Sequence, residues 1–370
     1  MKNFLIKRCA LLLLITNIFS IPTVKAVKSD TVAVFADNKA AFCSESRAST
    51  QISSRVYELF FGQKQSKKSV EYLIPGGDVF GIKLSESYVT VTGSHDGSAF
   101  KTGDKIISLA GEAITSAKDV TRVLESYTGG SISVGILRGG EKMSLTVIPK
   151  RYDNSYKLGV TLRDTASGIG TVSYIDPETN AFGGLGHGVC DPITNSPVSI
   201  KAGEATGVIL GGVTRGEIGK PGELSGILNK KHLGEVAINC ECGVFGILDS
   251  FDTQGREAIP VGKRSELHRG EAEIISTVKN GKRQSYKIEI TEIDKSSTGS
   301  KSFKIKVTDP TLITLTGGIV RGMSGSPIIQ DGKLVGAVTH VLVANPTEGY
   351  GIFIENMLNA AQSQVMPKAA

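Results

Sequence analysis

Tryptophan is absent from the 370 residues, aromatic residues make up only 6%, and cysteine occurs five times. With so few rings the core has to be built from aliphatic side chains. The apolar runs are dominated by β-branched residues, which favour strands. Cys9 lies in an N-terminal apolar stretch, leaving Cys43, Cys190, Cys240 and Cys242 for the folded part. Four thiols over that length are not a disulfide framework, and Cys240-Glu241-Cys242 without a second clustered pair is a weak metal signal. They read as partly buried thiols or one optional bridge, and no metal or cofactor is expected. An excess of one charge is also missing. The formal net charge is +6, but Lys2, Lys7, Arg8 and Lys25 fall in the first 26 residues, and the rest carries 38 basic against 36 acidic residues. That balance gives no electrostatic reason to expect nucleic-acid binding. Beyond residue 26 no apolar run is long enough to cross a membrane.

What is abundant is glycine, 44 residues of it, in a chain long enough for two domains. The opening "MKNFLIKRCALLLLITNIFSIPTVKA" has a basic start, a short apolar stretch and small residues at Val24 and Ala26, the pattern of an export signal; an uncleaved membrane anchor is the alternative. Residues 27–70 are polar and poorly patterned, with one apolar cluster, "SRVYELFFG", and the hinge-like "QKQSKKS", and read as a spacer.

Residues 71–150 are patterned differently. "YLIPGGDVFGIKL" leads into a strand, "YVTVTG" alternates, and "KTGDKIISLAGEAI" is strand, turn, strand. "SAKDVTRVLESYTGG" is a helix that Ser116 can cap, and "SISVGILRGGEKMSLTVIP" is a hairpin. This order resembles a bacterial PDZ domain, with "TGDKIISLAGEAI" as its most specific part; a purely structural small β domain is the other reading. In PDZ domains an apolar-Gly-apolar loop offers backbone N–H groups to a peptide carboxylate, and the peptide adds as a strand. Phe80-Gly81-Ile82 matches that loop. The resemblance implies a peptide C-terminus, or the chain's own tail, as its ligand.

From residue 151 to 370 short strands and Gly, Asn and Asp turns follow one another, a density that suits a pair of small β-barrels. Near the end stands "GMSGSP". Small neighbours let an acyl group approach Ser324, and the amides of Gly322 and Ser324 can converge on an oxyanion. "PIIQ", "DGK", "LVGAVTHV", "ANPTEG", "YGIFI" and "ENMLNAAQSQV" follow, and this order resembles the C-terminal barrel of the chymotrypsin-like serine proteases. His187, in "FGGLGHGVCD" 137 residues earlier, would come from the first barrel and is the expected base. His340 reads as a wall residue, His95 belongs to the PDZ-like part, and His232 and His268 read as solvated. With "GIGTVSYIDPETNAFGGLGH", "TGGIVRGMSGSPIIQDGKLVGAVTHV" and "PTEGYGIFIENML", the chain resembles the stage IV sporulation protein B peptidases, signalling serine proteases of endospore-forming bacteria.

That resemblance implies a mainly β protein, a PDZ domain followed by a chymotrypsin-like double barrel. It implies export across the forespore membrane into the intermembrane space, self-cleavage, and cleavage of a membrane-bound regulator that triggers late mother-cell sigma-factor activation. A catalytically inactive PDZ scaffold is the competing expectation. The carboxylates between His187 and Ser324 include Asp191, Asp249, Asp252, Asp294 and Asp309. The family's acid corresponds to Asp309, in "KVTDPTL", while barrel topology more naturally supplies Asp249; an Asp-Pro turn is the plain reading of Asp309. A histidine base gives an expected pH midpoint of about 6.5–7. The primary pocket, with Gly317-Gly318-Ile319 at its base and Gly349 at its side, reads as open and uncharged, suited to a small or medium apolar residue before the cut.

Overall fold

Two strands of 16 residues each, Val79–Ser94 and Val160–Ile175, organise the molecule. The computed structural model describes residues 71–363 except 96, 254 and 280, all in one unit of the chain. The expected signal (1–26) and spacer (27–70) lie outside the described residues. The strands, in chain order, are β1 (Tyr72–Pro75), β2 (Val79–Ser94), β3 (Lys105–Leu109), β4 (Glu112–Ala113), β5 (Ile132–Arg138), β6 (Glu141–Val147), β7 (Lys150–Tyr152), β8 (Ser155–Lys157), β9 (Val160–Ile175), β10 (Ala181–Gly184), β11 (Ile200–Thr214), β12 (Glu223–Cys240), β13 (Gly243–Leu248), β14 (Ile259–Pro260), β15 (Gly270–Lys279), β16 (Lys282–Ile293), β17 (Phe303–Val307), β18 (Pro327–Gln330), β19 (Lys333–Leu342) and β20 (Asn345–Phe353). The helices are α1 (Ala117–Glu125), α2 (Pro310–Thr316) and α3 (Ile354–Ser363). The protein is mainly β, as the glycine-punctuated apolar runs imply.

Two barrels result. The pairings β2–β9–β10–β13–β12–β11 return to β2, closing the first. Strands β15–β16–β17–β20–β19–β18 close the second. Closure leaves no open sheet edge in either ring, which suits a chain with little else to cover strands. The first core holds Phe80, Ile82, Val172, Phe182 and Val236; the second holds Ile274, Ile288, Ile305, Val338 and Phe353. Phe80 and Phe182 meet edge to face with centroids 5.7 Å apart.

The small domain read as PDZ-like in the sequence is inserted into the first barrel. Strands β2 and β9 pair inside the barrel from Val79↔Thr171 to Ser85↔Thr165, shift register, and pair again outside it from Thr90↔Arg163 to Ser94↔Val160. The outer halves join β3, β5, β6 and α1 around a separate core that includes Val89, Ile106, Val120, Val123, Val134 and Leu158. Helix α1 forms where expected. Ser116 accepts from the Asp119 amide, the Asp119 carboxylate accepts from the Ser116 amide, and Val120, Val123 and Leu124 are buried. The expected division between 71–150 and 151–370 therefore does not follow the packing. Residues 71–86 belong to the first barrel, and the PDZ core runs on to Leu162. A strand that crosses two cores leaves no composition break for a sequence reading to find.

Phe80-Gly81-Ile82 is corrected by the same pairings. It is strand interior, with Gly81 opposite Ile169 of β9 on one side and Thr206 of β11 on the other. Phe80 and Ile82 are fully buried. Both backbone edges are spent on the barrel, so this segment has none left for a peptide carboxylate. A Cβ on Gly81 would lie 2.3 Å from Leu228 Cδ2 and 2.5 Å from Thr206 Oγ1. Gly81→Val should therefore cost about 1–3 kcal/mol of stability by overpacking. A denaturant midpoint equal to wild type would contradict that packing.

Candidate active site

Ser324 and His187 sit on loops that the same residue holds. Thr171, fully buried on β9, donates its amide to Ser324 O at 2.9 Å and its hydroxyl to Gly322 O at 2.8 Å. Its own carbonyl accepts the Leu185 amide, 3.1 Å away, two residues before His187. Gly325 fills the junction. It has φ +96°, and a Cβ there would stand 2.0 Å from Thr171 O and 2.5 Å from Leu185 N, so only glycine fits. Leu185 (φ 66°) and Gly186 (φ 69°) are both left-handed, a costly backbone for leucine that turns the chain sharply into His187.

Both loops meet β19. The Ser324 hydroxyl donates to Thr339 O at 2.8 Å, and the His187 ring lies 5.1 Å, centroid to centroid, from that of His340. His187 Nδ1 is 2.9 Å from Gly188 O. A carbonyl can only accept, so Nδ1 carries the proton and Nε2 keeps its lone pair, the tautomer a general base requires. The amides of Gly322 and Ser324 donate to no acceptor among the described residues, which leaves both for an oxyanion. Ser326, by contrast, is fully buried, and its hydroxyl is 3.1 Å from that of Ser276.

Burial governs the two rings. It pushes the His187 pKa down, the bond to Gly188 only partly offsetting it. Burial, then the charge of His187 and of Lys301, pushes His340 down to about 3. The Nδ1 of His340 is buried without a hydrogen-bond partner. Both rings are therefore neutral around pH 7.

Neither expected acid reaches His187. Asp309 caps α2, accepting the Thr311 and Leu312 amides at 2.8 and 3.0 Å, with its other oxygen 3.4 Å from the Lys287 amide. Pro310 at the first helical position completes the start signal, so the Asp-Pro turn reading describes its place here. Asp249 is 3.4 Å from His232 Nε2, an exposed pair whose ring also meets Glu204. His232 and His268 are exposed, as expected, and so is His95, while His340 lies on β19 beside His187. Among the described residues no group of three or more metal-ligating side chains occurs, and Cys190, Cys240 and Cys242 form no disulfide; burial pushes the Cys242 thiol up to about 12. The primary pocket differs from expectation. Ile319 is buried, and its Cδ1 would lie 2.6 Å from a Cβ on Gly349, so isoleucine fills space that the glycine was expected to leave open.

Sequence reasoning missed a second apolar-Gly-apolar segment, Leu158-Gly159-Val160, because "KLGVTLRD" reads equally well as an opening barrel strand. Leu158 is buried and Gly159 has φ +74°. The strand that follows, 160–163, pairs with β2 along one edge and with no strand along the other among the described residues. Helix α1 lies alongside, its Ala117 amide 2.7 Å from Asp164 Oδ2 and its apolar face in the same core as Leu158, Val160 and Leu162. An open edge beside a helix is the geometry by which PDZ domains add a peptide strand.

The profile of the SpoIVB peptidase S55 family matches residues 154–358, more than half of the chain. The chain belongs to the SpoIVB peptidase S55 family. The match contains both loops described above. Other similarities are partial. A Brucella suis biovar 1 protein named for zinc metalloprotease activity is 29% identical over 76 residues, 20% of this chain and 20% of that protein, and a Brucella melitensis biotype 1 protein matches equally. The chain thus spans about a fifth of the length of these curated relatives. Among solved structures, the PDZ domain of an SdrC-like protein from Listeria monocytogenes is 19% identical, with a TM-score of 0.20, and covers 22% of this chain and 93% of its own. Rv3671c of M. tuberculosis H37Rv, in an inactive serine-to-alanine form, is 9% identical, with a TM-score of 0.27, and covers 54% and 84%. At these scores the family assignment stands on the S55 profile alone.

The half-buried histidines make a stability prediction. An unfolded histidine titrates near 6.5, and His340 titrates lower in the folded chain. Below about pH 6.5 the unfolded state therefore binds more protons, and stability is lost as pH falls toward the folded value. The drop in melting temperature between pH 7 and pH 5 should be smaller in His340→Gln than in wild type. An equal drop would mean that His340 is not held neutral.

Proposed function

We propose that this S55 peptidase is an exported serine endopeptidase in which Ser324 is the nucleophile and His187 the general base. One observation carries the reading: a loop from each barrel is fastened to Thr171, and both meet β19 at Thr339–His340. Ser324 Oγ leaves Thr339 O and attacks the scissile carbonyl while His187 Nε2 takes its proton. The imidazolium then gives that proton to the leaving amine, and water resolves the acyl-enzyme by the same exchange. Gly322 and Ser324 amides hold the oxyanion. Asp309 is proposed as a structural cap rather than the orienter; the Gly188 carbonyl sets the tautomer. The uncharged Gly317–Ile319 segment and Gly349 suit an apolar side chain before the cut, with Ile319 favouring a small one.

The family resemblance supports the finer reading: export across the forespore membrane into the intermembrane space, with the N-terminus as signal or temporary anchor; self-cleavage; and a membrane-bound regulator as substrate. The open edge of residues 158–163, rather than Phe80-Gly81-Ile82, supports the reading of a peptide ligand there, an extended peptide ending in a carboxylate or the chain's own tail. No helix among the described residues is long and apolar enough to span a bilayer.

The Ser324–Thr339 hydrogen bond, with no carboxylate on His187, favours a second reading, an inactive PDZ scaffold. Fluorophosphonate labelling separates the two. Wild type should be modified at Ser324, His187→Ala should fall to the background of Ser324→Ala, and Ser326→Ala should keep most of its reactivity if still folded. An unlabelled wild type would favour the scaffold.

The pH profile adds a separate check. His187 must be neutral to act, and burial lowers its pKa. Activity should therefore rise with pH through a midpoint below the ordinary histidine value of about 6.5, not at or above it. A midpoint of about 7 would contradict the buried environment.

A further inference from the structure

Where the PDZ domain joins the first barrel, one guanidinium lies between two buried carboxylates. Arg163, on the open-edged part of β9, donates from Nε to Glu86 Oε1 at 2.9 Å and from its terminal nitrogen to Asp191 Oδ2. Its side chain is only 22% exposed; Glu86 and Asp191 are buried. Glu86 belongs to β2, at the point where that strand leaves the barrel. Asp191 is four residues beyond His187.

The two carboxylates are not equivalent. Burial weighs on Asp191, but the amides of Thr194 and Ile193 and the Arg163 charge outweigh it and keep its pKa low. For Glu86 burial outweighs the help of Arg163, and its pKa is raised. Asp191 is thus the anchored partner. Its Oδ1 takes the Ile193 and Thr194 amides at 2.8 Å each, and its backbone closes the 191–196 turn through Ser196 O and the Asn195 amide. Between Asp191 and His187 the chain is gripped again at Val189, whose amide and carbonyl both bond Asn239. The stretch after His187 is therefore stiff, and a displacement imposed at Asp191 has few soft torsions in which to dissipate before the ring.

Resting on the reading of His187 as the base, we propose that Arg163 is a positioning residue for the peptidase site, holding the His187 loop in place through Asp191. The inserted domain, not the barrel alone, then supplies a support for catalysis. Because Arg163 lies on the strand whose free edge accepts a peptide, whatever adds to that edge bears on the same support.

The test uses the mature chain with Arg163→Lys, Arg163→Met, Asp191→Asn, Glu86→Gln and the Arg163→Met/Asp191→Asn double variant. Melting temperature, the rate of Ser324 labelling by diisopropyl fluorophosphonate, and kcat and KM on a short peptide are read for each. Asp191→Asn keeps the Oδ1 acceptor and its turn, so it remains a fair variant if Arg163→Met fails to fold. Arg163→Met and Asp191→Asn should lower labelling and kcat by roughly 10- to 100-fold with KM little changed, the scale of a displacement near 1 Å at the reacting atoms. The double variant should be no worse than either single one, and Arg163→Lys should recover part of the loss. Glu86→Gln, which leaves the Arg163–Asp191 pair intact, should label at the wild-type rate. The inference is overturned if Arg163 and Asp191 variants label like wild type while melting lower, or if Glu86→Gln loses as much as Asp191→Asn. Wild type unlabelled at Ser324 would sink the peptidase reading itself, and this inference with it.

Discussion

The hydrogen bonds of Thr171 are the constraint on which the site depends. Two loops, 137 residues apart in sequence and belonging to different barrels, have no covalent reason to stay in register. One buried residue of β9 takes both, using its amide, its carbonyl and its hydroxyl. Each bond alone contributes only about 1 kcal/mol net, but a buried Gly322 carbonyl left without its partner would cost more than that. The same strand continues about 26 Å back from Thr171 to Arg163 at ordinary strand rise, so one element spans the open edge and the Ser324 loop.

The electrostatics of the site follow from burial rather than from paired charge. Among the described residues no carboxylate faces His187; a backbone carbonyl does. A carbonyl can select the tautomer, but it stabilises the imidazolium that forms during proton transfer less than an ionised acid would. The neighbouring His340, kept neutral by its surroundings, adds no charge of its own.

Much of this was legible in the residues and some was not. "GMSGSP" followed by three strands and a helix marked Ser324, because the small neighbours and the strand order agree. His187 stood out through its glycines. The same small neighbours point to the Gly322 amide as an oxyanion donor. Phe80-Gly81-Ile82 misled because an apolar-Gly-apolar triplet serves equally as a loop and as a strand packed against two neighbours; only the partners Thr206 and Ile169 distinguish them. Leu158-Gly159-Val160 was passed over for the mirror reason. Thr171 and Arg163 carry no local signature, since their work is defined by residues far away in the chain. Asp309 shows a short-range rule prevailing: Asp followed by Pro opens a helix, and the cap engages the side chain.

The bond between Ser324 and the Thr339 carbonyl has a consequence for how the molecule idles. Freeing the hydroxyl costs about 0.5–1.5 kcal/mol. At any moment the serine would then be loose in roughly a third to a twelfth of molecules, at tenfold per 1.4 kcal/mol. A hydrogen-bond donor that reaches the Thr339 carbonyl competes with the hydroxyl for it. On the peptidase reading proposed above, a substrate that takes this carbonyl thereby releases the hydroxyl that attacks it, and an unoccupied molecule stays idle.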